Sequence, residues 1–458
     1  MNGSLMTRRG LIAGTATILS APALGQGTRP PVVDVDVVVI GAGAAGIAAA
    51  RRLKAAGRTV VVVEAKDRIG GRAHTDVVTF GVPMDLGAHW IHAPADNPVV
   101  PLAKAAGFDL YDDPERPRLL IKGRGPREGE RESFAGALRR SQRAILDAGE
   151  AGREVPLSEV MPSDLADWRP TIEFLRGAWD SGKETSEISC VDFYNALETR
   201  DQFCRQGYGA VIEKLGEGLP VRLSTAVTRV DWSGRGVTVE TPSGKIQARV
   251  AIVTVSTAVL ASNVIRFAPA IPKRQLDAIQ ALGCGAYEHL IVHLADNPMD
   301  AKPDEPFVVK ADTSATAKPL ARIGGSDWWY LDIGGKFARD LANAGPTAMK
   351  AFAAEFVGNE LGPRARRALG EIHVTSWTTD PFIRGSWSVA GPGATGQRLR
   401  LAEPVGQRLL FAGEATDDGL WGTVGGAWAS GERAADAAVR IVAPQPAGNR
   451  QTNPPNRR

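Results

Sequence analysis

The sequence predicts an α/β fold built around a dinucleotide-binding unit of the Rossmann type, and three stretches carry that prediction. Residues 35–72 read VDVVVIGAGAAGIAAARRLKAAGRTVVVVEAKDRIGGR: an apolar run, a glycine turn, an alanine-rich helix, and a second apolar run ending at Glu64. Residues 221–255 alternate with the period of strands around a turn at TPSG (241–244). Near the other end, RLLFAGE (408–414) is a strand entering a glycine turn, and 423–442 reads as a long helix of small residues.

In the first stretch each glycine has a physical task. Gly41 permits the tight turn, Gly43 lets backbone approach a pyrophosphate, and Gly46 lets the helix lie close on the strand. The helix start, with Ala45, offers unpaired N–H groups to phosphate. Glu64 lies 18 residues beyond Gly46, placed to accept from a ribose 2′-OH and to repel a 2′-phosphate, with Ala65 and Lys66 beside it. An adenine dinucleotide lacking that phosphate is therefore expected. RIGGR (68–72) adds two glycines, Gly71 among them, and in Arg72 a guanidinium able to grip phosphate, which favours FAD over NAD.

Composition bounds the remaining possibilities. The 458 residues are 43% hydrophobic and 23% charged with 51 glycines, as expected of a large α/β protein rich in turns. A formal charge of +3, with no basic stripe interleaved with aromatics, gives no support to nucleic-acid binding. At the start, TRR (7–9), an apolar stretch (11–19) and APALG (21–25) read as a signal peptide over 1–25 of the twin-arginine type. That route carries folded proteins, so a periplasmic protein exported with its dinucleotide is expected. The apolar stretch is too short to span a bilayer, and no later run reaches about 18 apolar residues, so no stable membrane insertion is expected. Cys190, Cys204 and Cys284 form neither a disulfide framework nor a metal motif. Cys190 and Cys204 are the nearer pair, but reduced, mostly buried thiols are the expectation. Six histidines without metal-binding spacing give no metal site.

Between the nucleotide-binding ends the signals are weaker. MDLGAHWIHAP (84–94) leads to a helical stretch near 99–106. Residues 111–170 are charged and poor in strand signal, and read as loops and helices of a separate lobe. QGYGAVIEKL (206–215) opens a helix, 276–370 is mixed β and then helical, and the polar tail 443–458 reads as disordered.

These motifs together resemble the flavin amine oxidase superfamily: monoamine oxidases, polyamine oxidases, histone lysine demethylases and L-amino-acid oxidases. The resemblance spans nearly all of 34–442, strongly at both ends and weakly between 110 and 200. It implies a glutathione-reductase-like FAD-binding domain from 34–92, 205–277 and 378–442, with an α+β substrate-binding domain inserted as 93–204 and 278–377. Residues matching the family's FAD contacts include Gly87, Ala88 and His89, although His89 reads more as a supporting residue. The backbone of Val227 matches the position meeting the adenine. FAGE (411–414) and GTVGGA (422–427) match the C-terminal FAD motif, so Gly413, Glu414, Thr423 and Val424 join the site. There a helix N-terminus would stabilise negative charge on the flavin pyrimidine. Trp377 and PFIRGSWS (381–388) match the stretch packing against the isoalloxazine. Ser386 stands where monoamine oxidases carry the cysteine that bonds the flavin, so FAD is expected to be non-covalent.

The loop GAHWIH (87–92) looks like the polyamine oxidase version, which places His92 in the catalytic cavity, able to accept the amine proton. Trp387 and Thr423 match the two positions flanking the amine, and the short threonine leaves space for a longer chain, as in the polyamine oxidase and lysine demethylase branch. One departure stands out. The family commonly carries a lysine near flavin N5, and in LGCGAYEHLIVH (282–293) His289 takes its place, or Glu288 if the register slips by one. The resemblance implies oxidation of a polyamine-like or other primary or secondary amine by hydride transfer to flavin N5. The imine would hydrolyse to aldehyde plus amine, and O2 would yield H2O2 unless another acceptor takes the electrons. The alternatives are an L-amino-acid oxidase or other flavin dehydrogenase, with Arg384 as the carboxylate partner, and a flavin-loaded binding protein without catalysis. The oligomeric state is left open.

Overall fold

The structure is a computed structural model that describes residues 33–443 except 115 and 198. The expected signal peptide (1–25) and the expected tail beyond Ala443 lie outside the described residues.

The first strand, β1 (Val33–Ile40), the helix α1 (Ala44–Ala55) and β2 (Val60–Val63) realise the expected nucleotide-binding unit. β1 lies at the centre of an eight-stranded sheet, parallel to β2 on one side and to Gly244–Val253 on the other. Leu409–Phe411, from the far end of the chain, adds a parallel strand against Gly244–Val253. Both faces are covered at the centre of this sheet, which is why 37–40 and 61–63 are buried without alternation, whereas 237–241 and the first half of Gly244–Val253 alternate. Val37 and Val39 pack with alanines of α1 and of the final helix Val424–Val442, while Val38 and Ile40 belong to a core on the opposite face. The turn expected at 241–244 joins Val237–Thr241 to Gly244–Val253 as an antiparallel hairpin, with Thr241 opposite Gly244.

A second, six-stranded sheet runs in the order 369–374, 287–294, 328–334, 318–321, 305–309 and 118–120. Here the period-two rule divides the faces cleanly. Leu290, Val292, Leu331 and Ile333 turn to a core beneath the helices Gly335–Ala344 and Pro346–Phe356. The intervening residues Tyr287, His289, Ile291, Tyr330 and Asp332 belong to the other face, toward the first sheet.

One expectation needs correction. Residues 111–170, read as loops and helices, contain the 23-residue helix Glu128–Glu150, but Arg118–Leu120 is also the edge strand of the second sheet, parallel to Glu305–Val309. A second short strand, Leu110–Asp112, pairs with Gln202–Cys204. Three-residue strands at an edge are held by their neighbour's hydrogen bonds and contacts, so they leave little trace in local composition. Cys190, Cys204 and Cys284 are free thiols. Burial pushes Cys190 up to about 11 and Cys204 up to about 12, so both stay protonated and inert. Among the described residues no helix is long and apolar enough to cross a membrane.

Candidate active site

The carboxyl ends of the central parallel strands open onto one cavity of about 770 Å³, whose remaining walls come from the second sheet and the 377–387 and 413–427 segments. Pockets for small molecules and cofactors typically run from about 300 to 1,000 Å³, so this one suits a large ligand.

The dinucleotide end is mostly backbone. Gly41 has φ +105°, the left-handed conformation its turn requires. A Cβ on Gly46 would lie 1.9 Å from the Gly41 carbonyl oxygen, so this glycine is required by helix-on-strand packing; it does not line the cavity. Gly43 differs: a Cβ there would meet no protein atom closer than 3.9 Å. Packing does not demand its bareness, whereas a ligand on the cavity side would. Gly43 is also the N-cap of α1 and supplies no side-chain cap, leaving the first N–H groups of the helix to a ligand. Glu64 is buried, with one carboxylate oxygen accepting from Ala42 N–H (2.7 Å) and the other from Lys66 N–H (2.9 Å). Gly41, Ala45, Ala65, Gly71 and Val227 line the same groove. Lys66 does not: its ammonium is paired with Asp380, and only its backbone serves Glu64.

Arg72 lines the cavity, anchored by Glu414 (3.0 Å) and by the Ser386 carbonyl. Glu414 is buried and also accepts from the backbone N–H and the hydroxyl of Ser388. Its pKa is lowered: burial works against ionisation, but Arg72, Ser388 and Arg398 outweigh it. Gly87, Ala88, His89, Gly413 and Val424 are further lining residues. Thr423 lines it too and caps the final helix, its hydroxyl accepting from Gly426 N–H (3.0 Å) and donating to Leu420 O (2.7 Å). The Ser386 hydroxyl is buried and unpartnered among the described residues, on a lining residue. An uncapped helix start, a bare glycine edge, a held carboxylate and an orphan hydroxyl together fit a flavin dinucleotide.

At the other end the walls are side chains. His92 is set opposite Asp201 by a backbone bridge between Ile91 and Gln202, and its Nδ1 lies 3.0 Å from Asp201 Oδ2. Its side chain is 45% exposed, on the cavity it lines. Burial would lower its pKa, but Asp201, with Asp180 behind it, raises it. His289 lines the cavity as well, 2% exposed, with Nδ1 2.6 Å from Asp332 Oδ1 and Nε2 3.0 Å from Gly87 O. Glu288 points to the other side of the strand, where its carboxylate accepts from the N–H groups of Trp377 and Thr378. Of the two, His289 is thus the one facing the cavity, and Glu288 holds Trp377. His89 is bound to Asp85 (3.0 Å) among the rings of Trp90, Phe203 and Tyr330, a supporting position.

Trp387 faces the cavity with Tyr287 beside it, ring centroids 5.2 Å apart. Tyr287, Trp90, Trp179, Asp180 and Asp201 are lining residues that the sequence reading did not select. Tyr287 was the accessible one, since it stands two residues before His289 on a strand and so shares its face. Asp201 had no local signal.

The chain is similar to known proteins over most of its length. A family model for flavin containing amine oxidoreductase matches residues 44–439. Polyamine oxidase 2 of Arabidopsis thaliana is 30% identical over 455 residues, with 91% of this chain and 89% of that protein covered. Lysine-specific histone demethylase 2 of Homo sapiens is 28% identical over 480 residues; 94% of this chain is covered, and it spans 56% of that protein. Among solved structures, a putrescine oxidase bound to putrescine gives a TM-score of 0.75 at 19% identity, covering 90% of this chain and 100% of that one. Cyclohexylamine oxidase from Brevibacterium oxydans gives 0.74 at 21% identity, covering 89% and 99%. The chain belongs to the flavin-containing amine oxidoreductases: it is an enzyme that oxidises an amine, with FAD as its cofactor and an electron acceptor as co-substrate.

Proposed function

We propose that this chain oxidises a polyamine-type primary or secondary amine, with His92 as the group that takes the amine proton and Trp387, Tyr287 and Thr423 as the walls around it. The observation that carries the reading is the His92 and Asp201 pair, standing in the same cavity as Trp387 and the dinucleotide groove. An alkylammonium cannot give up hydride from its α-carbon until its nitrogen is neutral, so a base beside the nitrogen is the protein's first task. Asp201 orients the imidazole through Nδ1, leaving Nε2 for the substrate. The aromatic faces hold an amine and exclude water, and Asp201, paired with His92, and Asp180, paired with Arg176, put polar groups along the same wall. Bound FAD supplies the two-electron acceptor, held by the backbone groove and by Glu64, Arg72 and Ser386. With no thiol at 386, FAD stays non-covalent. Hydrolysis of the imine product yields an aldehyde and an amine. O2 or another acceptor then takes the electrons.

The relative at 30% identity, a polyamine oxidase, supports the substrate class. The arginine pair Arg8 and Arg9 and the apolar stretch after it support export by the twin-arginine route to the periplasm. Anaerobic mixing of the yellow holoenzyme with spermidine, a monoamine or an L-amino acid tests the assignment. Loss of the flavin's visible band with spermidine at rates well above the others is the expected result. Bleaching by the amino acid alone would transfer the reading to Arg384, which also lines the cavity.

A further inference from the structure

The cavity wall that carries His289 has a third polar member, one strand further on. Asp332 is the direct cross-strand partner of His289 on one side and of Lys318 on the other. Directly opposed residues project from the same face of a sheet, so the three side chains form one row across three strands. All are buried, at 2, 1 and 8% exposure for His289, Asp332 and Lys318.

Both ring nitrogens of His289 meet acceptors, Asp332 Oδ1 at 2.6 Å and the Gly87 carbonyl at 3.0 Å. A neutral imidazole has one N–H and one bare nitrogen. The two contacts are therefore satisfied together in only two ways: an imidazolium against a carboxylate, or a neutral ring accepting from a carboxylic acid. A cation beyond Asp332 decides between them. It lies one strand from the carboxylate and two from the ring, so it favours negative charge on Asp332 and the shared proton on His289 Nδ1.

We infer that Lys318 is a positioning residue whose ammonium, across the sheet from the Asp332 carboxylate, holds His289 as a doubly protonated imidazolium and so puts positive charge on the wall of the FAD cavity. This rests on the amine-oxidising reading for its purpose, because negative charge develops on the cofactor side of that wall when electrons arrive. Lys318 is built for the task. Its Nζ lies 3.5 Å from the centroid of the Trp179 ring and 5.8 Å from that of Trp90. Burial pushes its pKa down to about 8, against the support of Asp332, Asp180 and Asp113. Burial opposes charge on His289 too, yet Asp332 and the Gly87 carbonyl raise its pKa.

Around the row, Asp180 is paired with Arg176 (3.1 Å) and pushed up by burial, and Asp113 with Asp180 supports the charge on Lys318. Tyr287 on the same strand and Tyr330, stacked on His289 at 4.5 Å, are kept as phenols by burial and by nearby carboxylates. Glu288 turns its carboxylate to the Trp377 loop. Below pH about 8 Lys318 carries its positive charge, and that charge is lost as it deprotonates through that value.

Nitrogen NMR of the ¹⁵N-histidine-labelled holoenzyme, assigned with His289→Gln, tests the inference without any substrate. At pH 7 the wild type is expected to show both His289 nitrogens protonated, and Lys318→Met to move Nδ1 toward the shift of an accepting nitrogen. The FAD midpoint potential, followed against pH, should carry a break near pH 8 in the wild type and run lower, without that break, in Lys318→Met. A bare Nδ1 in the wild type overturns the inference outright, whether or not the variant folds. So does a Lys318→Met holoenzyme, or its Lys318→Gln counterpart, that keeps both the wild-type shift and the break. Bleaching by amines is independent of these spectra, so failure of the substrate assignment is told apart from failure of the charged row.

Discussion

The two ends of the cavity use the chain in opposite ways. At the dinucleotide end the protein withholds side chains, so that backbone N–H groups and a helix start can approach a ligand: Gly41, Gly43 and Gly71 are the working residues. At the amine end it does the reverse, filling the wall with aromatic rings and with histidines each locked to a carboxylate, His92 to Asp201 and His289 to Asp332. Binding by backbone requires only that nothing be in the way. Proton handling requires two side chains from different parts of the chain to meet within hydrogen-bond distance, and that difference governs how each end responds to change.

The sharpest break falls within a single turn. Gly46→Val should yield no soluble folded protein, because a side chain there meets backbone at 1.9 Å. Gly43→Val should fold, giving a near-native circular dichroism spectrum, yet be isolated colourless, since a Cβ there clears the protein by 3.9 Å and the added bulk stands at the edge of the cavity. A yellow Gly43→Val protein would remove the argument that this edge belongs to the pyrophosphate. At the amine end, His92→Ala should keep its FAD and lose about 10²- to 10⁴-fold in the rate of anaerobic flavin reduction by amine, the range for one general acid/base group. An unchanged reduction rate in stopped-flow mixing would take His92 out of the chemistry.

The carboxylate partner gives a finer test through pH. Asp201 raises the pKa of His92, so the neutral imidazole that accepts a proton is reached only above the ordinary histidine value. Reduction should therefore accelerate as pH rises through that raised value. In Asp201→Asn the same rise should occur at lower pH, where burial is opposed only by the more distant Asp180 and Asp113. A profile displaced upward, or not displaced, would mean that Asp201 does not act on the proton-accepting group. Smallest of all is the effect expected at Ser386: Ser386→Ala should change FAD content by no more than a few-fold, and in both proteins acid precipitation should release intact FAD to the supernatant. Flavin retained in the wild-type pellet would reveal a covalent bond elsewhere.

Much of the dinucleotide end is legible in the sequence. The strand, turn, helix and strand of 35–64 are local in sequence, and the tasks assigned to Gly41 and Gly46 match the positive φ and the 1.9 Å approach found there. Lys66 is the exception, because its distant partner Asp380 turns its side chain away from the groove. The amine end was legible only where a motif named its residue, as GAHWIH named His92 and PFIRGSWS named Trp387. Arg118–Leu120 showed the same limit in the fold: a short edge strand takes its conformation from its neighbour.

What the sequence determined by itself is what neighbours along the chain can enforce: apolar runs long enough to be buried on both faces, glycines where backbone must come close, and an acidic residue at the end of the second strand. What the tertiary structure decided is every pairing of distant charged groups. Asp201 reaches His92 because Ile91 and Gln202 bridge, and Asp332 reaches both His289 and Lys318 because three strands lie in one register. A hydrogen bond depends on separations of a few tenths of an ångström, which register and packing fix and which no local pattern of residue types encodes.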